Sequence, residues 1–224
     1  MQWVRALCPG LPIQSYNTGV KEMVKEFNVL ITGVGGQGVI LMSELLGNAA
    51  VKDGLKVRGS EVLGMAVRGG SVSSIIRIGS QVYGPLTPLG KCDILVGMEP
   101  AEALRNIAYL SKSSSVILNT RRVVPFTVFL GESQYPSLDI ILEKLKQVAN
   151  KVVTLNAAQI AEEAGSLLTA NIVMLGALSG SGQLPIRVET IKEQIHVRFP
   201  AKVAPVNIKA FDLGYQAYQQ AVKK

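Results

Sequence analysis

The stretch NVLITGVGGQGVILMSELLG, residues 28–47, restricts the fold more than any other part of the chain. An aliphatic run leads into four glycines within six positions, and an apolar-periodic run follows. A strand that is apolar on both faces belongs in a parallel-rich sheet covered by helices. Residues 37–52 place Leu41, Met42, Leu45, Leu46 and Ala49 along one helical stripe, and Asp53-Gly54 stops it. Strand, tight turn and helix in this order open an α/β domain.

The remainder continues in kind. KVRGSEV reads as a short second strand, followed by the glycine-rich LGMAVRGGSV. SVSSIIRI and QVYGPL alternate like strands, with Gly79-Ser80 as a hairpin turn between them, which makes the sheet mixed. CDILVGM, SSVILNT and KVVTLN are further buried strands. Helices are expected over residues 100–109, where Pro100 and Glu102 suit a first turn, and over 137–150 and 157–164. Because of Pro125, VVPFTVFL is an edge strand or an ordered loop. From residue 169 the pattern is helical. Ala170, Gly176, Ala177 and Gly180 permit close helix packing, and Phe211, Tyr215 and Tyr218 form a core stripe on the last helix. The expected architecture is therefore three layers: a mixed, mostly parallel sheet, helices on both faces, and a helical C-terminal part. Residues 23–224 are expected to form one domain, and residues 1–22 are expected to be a peripheral tail or the product of an upstream start codon.

The glycine turn is chemically suggestive. Gly33, Gly35 and Gly38 keep the G-x-G-x-x-G spacing, with Gly36 and Gln37 between them. Glycine allows positive φ and close approach of a ligand, and the following helix start offers free N–H groups to an anion. The same glycines also serve a subunit junction or simple strand–helix packing. A dinucleotide fold would want an acid after the second strand, and Glu61 lies there. It would also want a second helix and a third parallel strand, where this chain has a glycine loop and a hairpin. No Lys-Ser/Thr pair follows the last glycine, so a P-loop is excluded. In the second glycine segment, Arg68 stands between Gly64 and Gly69-Gly70. An arginine fork with so little bulk around it suits a carboxylate, a phosphate or an acidic partner, or else a solvated turn.

Composition narrows the chemistry. The formal charge of +7 is scattered, with short pairs at Arg121-Arg122 and Lys223-Lys224, and lacks the aromatic interleaving of a nucleic-acid surface. It suits anionic cofactors or an acidic protein partner. His196 is the single histidine, so a histidine-based nucleophile device is not expected. Cys8 and Cys92 are far apart and form no C-x-x-C, which gives no thiolate set for zinc or an iron–sulfur cluster. Reduced thiols fit a cytoplasmic location. No apolar run reaches the roughly 18–20 residues that span a bilayer, so no membrane contact is expected.

GVGGQGV, GMAVRGGSV, IRIGSQVYGPL and CDILVGMEPAEALR, in that order, resemble the gamma-type domain of 2-oxoacid:ferredoxin oxidoreductases, most of all the beta subunit of the indolepyruvate enzymes. The likeness runs from residue 28 to the final helix. One departure is Val67, where the family has glutamine before arginine–glycine–glycine. The resemblance implies a non-redox subunit of an enzyme that decarboxylates indolepyruvate or another aryl pyruvate to the acyl-CoA and passes electrons to ferredoxin. Thiamine diphosphate, Mg2+ and [4Fe-4S] clusters are then expected on a larger partner subunit, with coenzyme A as co-substrate and no cofactor bound by this chain alone. Gly33, Gly35, Gly36, Gln37, Gly38, Arg68, Gly69 and Gly70 are the expected cofactor- or substrate-facing residues, and no catalytic residue is expected here. A stand-alone NAD(P)-binding dehydrogenase and a non-enzymatic anion- or protein-binding module are the alternatives.

Overall fold

A computed structural model describes residues 24–64, 66 and 69–223. The tail expected over residues 1–22, Val67 and Arg68 lie outside the described residues. Six strands form one sheet among the described residues: β1 (Phe27–Val34), β2 (Val57–Leu63), β3 (Ser71–Ile78), β4 (Ile94–Gly97), β5 (Ser115–Asn119) and β6 (Lys151–Leu155), in the order β2-β3-β1-β4-β5-β6. Only β3 runs against the others, pairing antiparallel with both β1 and β2. The β1–β4, β4–β5 and β5–β6 pairs are parallel, so the sheet is mixed and mostly parallel, as its sequence implies. The helices are α1 (Val39–Lys52), α2 (Pro100–Arg105), α3 (Phe126–Phe129), α4 (Leu138–Val148), α5 (Ala157–Ala164), α6 (Ala170–Gly180), α7 (Val188–Arg198) and α8 (Ala204–Lys223).

Side-chain alternation along β1 explains why Val29, Leu30 and Ile31 are aliphatic in succession. Val29 and Ile31 enter a core with Met42, Leu45 and Leu46 of α1 and with residues of α5 to α8. Leu30 enters a second core on the opposite face, with Ala103 of α2 and Ile141 and Leu145 of α4. Both faces are dry, so a period-two polar pattern would strand charges in a core. The small residues of α6 do what their spacing implies: Gly176 packs on the backbone at Phe211 and Gly180 on the backbone at Tyr215. Phe211 and Tyr218 are core residues, as expected of the stripe.

Three expectations need correction. QVYGPL is not a strand, and no hairpin forms at Gly79-Ser80. Strand β3 already has β1 on one edge and β2 on the other, so no edge is left to accept a returning strand. The chain instead leaves Gly79 beside residues 24–25, with the Ser80 and Gln81 N–H groups donating to the Val24 and Lys25 carbonyls. The guanidinium of Arg77, 8% exposed, holds the departing segment by donating to the Gly84 and Leu86 carbonyls at 2.8 and 2.9 Å. Second, VVPFTVFL is not an edge strand: Pro125 caps the single helical turn α3. Third, the helix expected over 100–109 is interrupted at Asn106, and a 3-10 turn covers Ile107–Tyr109.

Candidate functional site

The site lies where the connections from the sheet diverge. From β1 the chain turns to α1 on one face, whereas from β4 it turns to α2 on the other. A crevice opens at the carboxyl ends of strands at such a switch point, and ligands bind there in open α/β sheets. The glycine turn occupies it. Gly36 and Gly38 have φ of 99° and 75°, values that side chains with a Cβ rarely adopt. Gln37 closes the turn: its Oε1 accepts the Val34 N–H at 2.9 Å and its Nε2 donates to the Met98 carbonyl at 3.2 Å. Gly33 is required by crowding, since a Cβ there would lie 2.7 Å from Gln37 Oε1 and 2.8 Å from the Met98 Cβ.

The two glycine segments expected to act together are joined by their backbones. The Gly35 N–H donates to the Gly70 carbonyl at 2.8 Å, and the Gly69 N–H donates to the Gly35 carbonyl at 3.3 Å. Ser71, next in the chain, donates its hydroxyl to the buried Glu102 carboxylate at 2.6 Å and so ties this loop to α2. Gly33, Gly35, Gly36, Gln37, Gly38, Gly69 and Gly70 therefore share one corner of the sheet's carboxyl edge. Arg68 adjoins it in sequence but lies outside the described residues.

A cleft of about 600 Å³ opens beside this turn. Gly36, Gln37 and Gly38 line it after β1, Met98 after β4, and Asn119, Arg121 and Val123 at and beyond the end of β5. Leu167 and Leu168 approach from the 3-10 turn before α6 and Asn171 from its first turn, and Leu168 is 91% exposed. Asn119 is the organising side chain of the floor. Its Nδ2 donates to the Met98 carbonyl at 3.0 Å, and its Oδ1 accepts the Arg121 and Ala157 N–H groups. Sequence reading missed Asn119, Arg121 and Asn171. The signal available was a polar residue directly at the end of an apolar strand, Asn119 in SVILN, with a basic pair two residues beyond.

The donors for a metal or cluster are not here. Among the described residues no group of three or more His, Cys, Asp and Glu side chains could hold a metal ion. Burial, with a smaller contribution from Asp93, pushes the Cys92 thiol up to about 12, so it is no thiolate ligand. These residues do not fit an iron–sulfur cluster or the Mg2+ of a bound diphosphate. Glu61, the acid a dinucleotide site would use, is exposed on the edge strand β2, and β3 follows antiparallel where a Rossmann fold would have a helix and a parallel strand.

The profile of the pyruvate ferredoxin/flavodoxin oxidoreductases matches residues 28–217. The chain belongs to that family. It is 44% identical over 198 residues to the indolepyruvate oxidoreductase subunit IorB of Pyrococcus horikoshii, spanning 88% of this chain and 98% of that subunit. IorB of Archaeoglobus fulgidus is 43% identical over 84% of this chain and 93% of its own length. Among solved structures, a pyruvate oxidoreductase subunit of Thermotoga maritima superposes with a TM-score of 0.65 at 25% identity, covering 86% of this chain and 96% of that one. A 2-oxoglutarate:ferredoxin oxidoreductase chain of Magnetococcus marinus shares the fold with a TM-score of 0.68 at 20% identity. It covers 88% of this chain and only 31% of its own, so the same fold also occurs inside a chain about three times as long. No described helix is long and apolar enough to cross a membrane.

Proposed function

We propose that this chain is the small, non-redox subunit of a thiamine-diphosphate-dependent 2-oxoacid:ferredoxin oxidoreductase, acting on indolepyruvate or another aryl pyruvate. The observation that carries the substrate class is the likeness to IorB subunits, at 41–44% identity over 84–88% of this chain. The donor set supports a division of labour. Thiamine diphosphate, Mg2+ and [4Fe-4S] clusters need acidic and thiolate ligands that the described residues do not bring together, and a larger partner subunit supplies them. When bound there, those groups supply the decarboxylation and electron-transfer chemistry, while this chain supplies shape and orientation.

On this reading Gly33, Gly35, Gly36, Gln37, Gly38, Arg68, Gly69 and Gly70 face the partner's active-site cleft and contact coenzyme A or the substrate carboxylate. Peptide N–H groups in the turn favour an anion, and a guanidinium adjoins the second glycine segment in sequence at Arg68. Ferredoxin is met through the partner, and a cytoplasmic setting fits Cys92 as a free thiol. Capture of the tagged chain from its native cells tests the assembly. The expected result is a larger chain carrying iron, acid-labile sulfur and thiamine diphosphate. A captured complex that lacks all three, or tight NADH binding by the isolated chain, would overturn the proposal.

A further inference from the structure

Glu99 follows β4 and opens α2, and it is only 1% exposed. The protein uses both of its oxygens. Oε2 accepts the Glu102 N–H at 3.0 Å and caps α2, while Oε1 accepts the Val123 N–H at 3.2 Å and the Tyr135 hydroxyl. Burial, followed by the bond to Glu99, pushes the Tyr135 hydroxyl well above the ordinary tyrosine range, so it stays a donor. The Arg122 guanidinium lies 5.9 Å from the centre of the same ring.

Capping alone does not call for such a group. Asparagine or serine caps a helix without taking an ionisable side chain out of water. What distinguishes Glu99 is its other oxygen, whose two partners bracket residues 123–135 in the connection from β5 to α4. Between those partners Phe126, Phe129 and Leu130 are 56–74% exposed, so apolar burial does little to hold the segment down. The adjacent Met98 carbonyl accepts Gln37 Nε2 from the glycine turn and Asn119 Nδ2 from the end of β5. Met98 and Glu99 together therefore set the register of three connections around the cleft.

We infer that Glu99 is a positioning residue, which clamps residues 123–135 to the end of β4 and thereby fixes Arg121 and Val123 across β4 from Gly36 to Gly38. The inference builds on the cleft's part in turnover proposed above. Glu99 touches no reacting group; it acts through Val123 and Tyr135. Because it sets the width and register of the cleft, its loss weakens substrate affinity more than it slows the bound complex.

Two variants of the full chain test this. Glu99→Gln keeps the size but turns an amide NH2 toward donors on one of the two sides. Tyr135→Phe removes a single donor, and it is the milder change should Glu99→Gln fail to fold. Hydrogen–deuterium exchange is expected to accelerate about tenfold across residues 121–135, with the sheet unchanged. In the complex reassembled with its larger subunit, the KM for coenzyme A or for the 2-oxoacid is expected to rise about tenfold while kcat stays within about twofold. A merely structural role would lower the active fraction, and so kcat, and leave KM alone. Unchanged exchange in both variants overturns the clamp. A loosened segment with both KM values unchanged overturns its role in the cleft while the subunit's function stands, since the wild-type complex is the active control. A wild-type complex inert toward 2-oxoacids overturns both.

Discussion

Gly176→Val is expected to be strongly destabilising. Helices α6 and α8 approach so closely that a Cβ at position 176 would come within 3.0 Å of the Phe211 carbonyl oxygen, its carbonyl carbon and its Cα. Those atoms are backbone, so no rotamer change relieves the collision. The approach is matched from the other side, where a Cβ at Gly214 would meet the backbone of Val173 in the same way. Valine at 176 must therefore push two helices apart, opening voids around Phe211, which is fully buried. Overpacking at this level costs about 3 kcal/mol, roughly 10 °C in Tm for a domain of this size. Thermal unfolding of the purified variant measures it. Melting within about 2 °C of the wild type would mean that the helices are not in backbone contact.

The second large effect is expected at Gly38, and there it concerns turnover. Gly38 caps α1 with φ of 75°, and a Cβ would come within 3.0 Å of the Asn171 side-chain amide. Alanine therefore meets two penalties, about 1–2 kcal/mol of left-handed backbone strain and a clash with a side chain in the cleft wall. The turn is expected to shift, and with it the Gly35–Gly70 backbone pair that joins the two glycine segments. A displacement on the order of 1 Å at a substrate-positioning element costs as much as about a hundredfold in rate. Gly38→Ala should thus lower turnover of the assembled enzyme by at least about tenfold, with the subunit still folded and bound to its partner. Gly36→Ala is the natural control. Its φ of 99° brings comparable strain, but no atom lies within 4 Å of the added Cβ, so its effect should be clearly smaller. Equal kinetics for Gly38→Ala and the wild type would remove the turn from the working site.

The architecture was legible in the sequence where local pattern and tertiary role agree. Aliphatic β1, β4 and β5 declare burial on both faces, and the spacing of small residues along α6 by itself announces a close helix contact, which α8 fills. The misreadings share a physical cause: strand propensity says that a segment can pair and does not say that an edge is free. QVYGPL alternates well enough, but β3 has both edges occupied by β1 and β2. VVPFTVFL has the composition of a strand, yet Pro125 starts a helical turn instead. At the site, the glycines were visible because φ and close approach leave few alternatives at Gly33, Gly36 and Gly38. Asn119 and Glu99 were not, since each matters through partners far away in sequence: Ala157 for one, Val123 and Tyr135 for the other.

Steady-state turnover with and without this subunit is the decisive measurement. The purified larger subunit, this chain, and the two mixed are each given an aryl pyruvate and coenzyme A, and reduction of a one-electron dye is followed. Only the mixture is expected to reach full rate, with this chain by itself inert and free of any bound redox centre. Full turnover by the larger subunit without its companion, or decarboxylation by this chain on its own, would contradict a role confined to shaping another subunit's reaction.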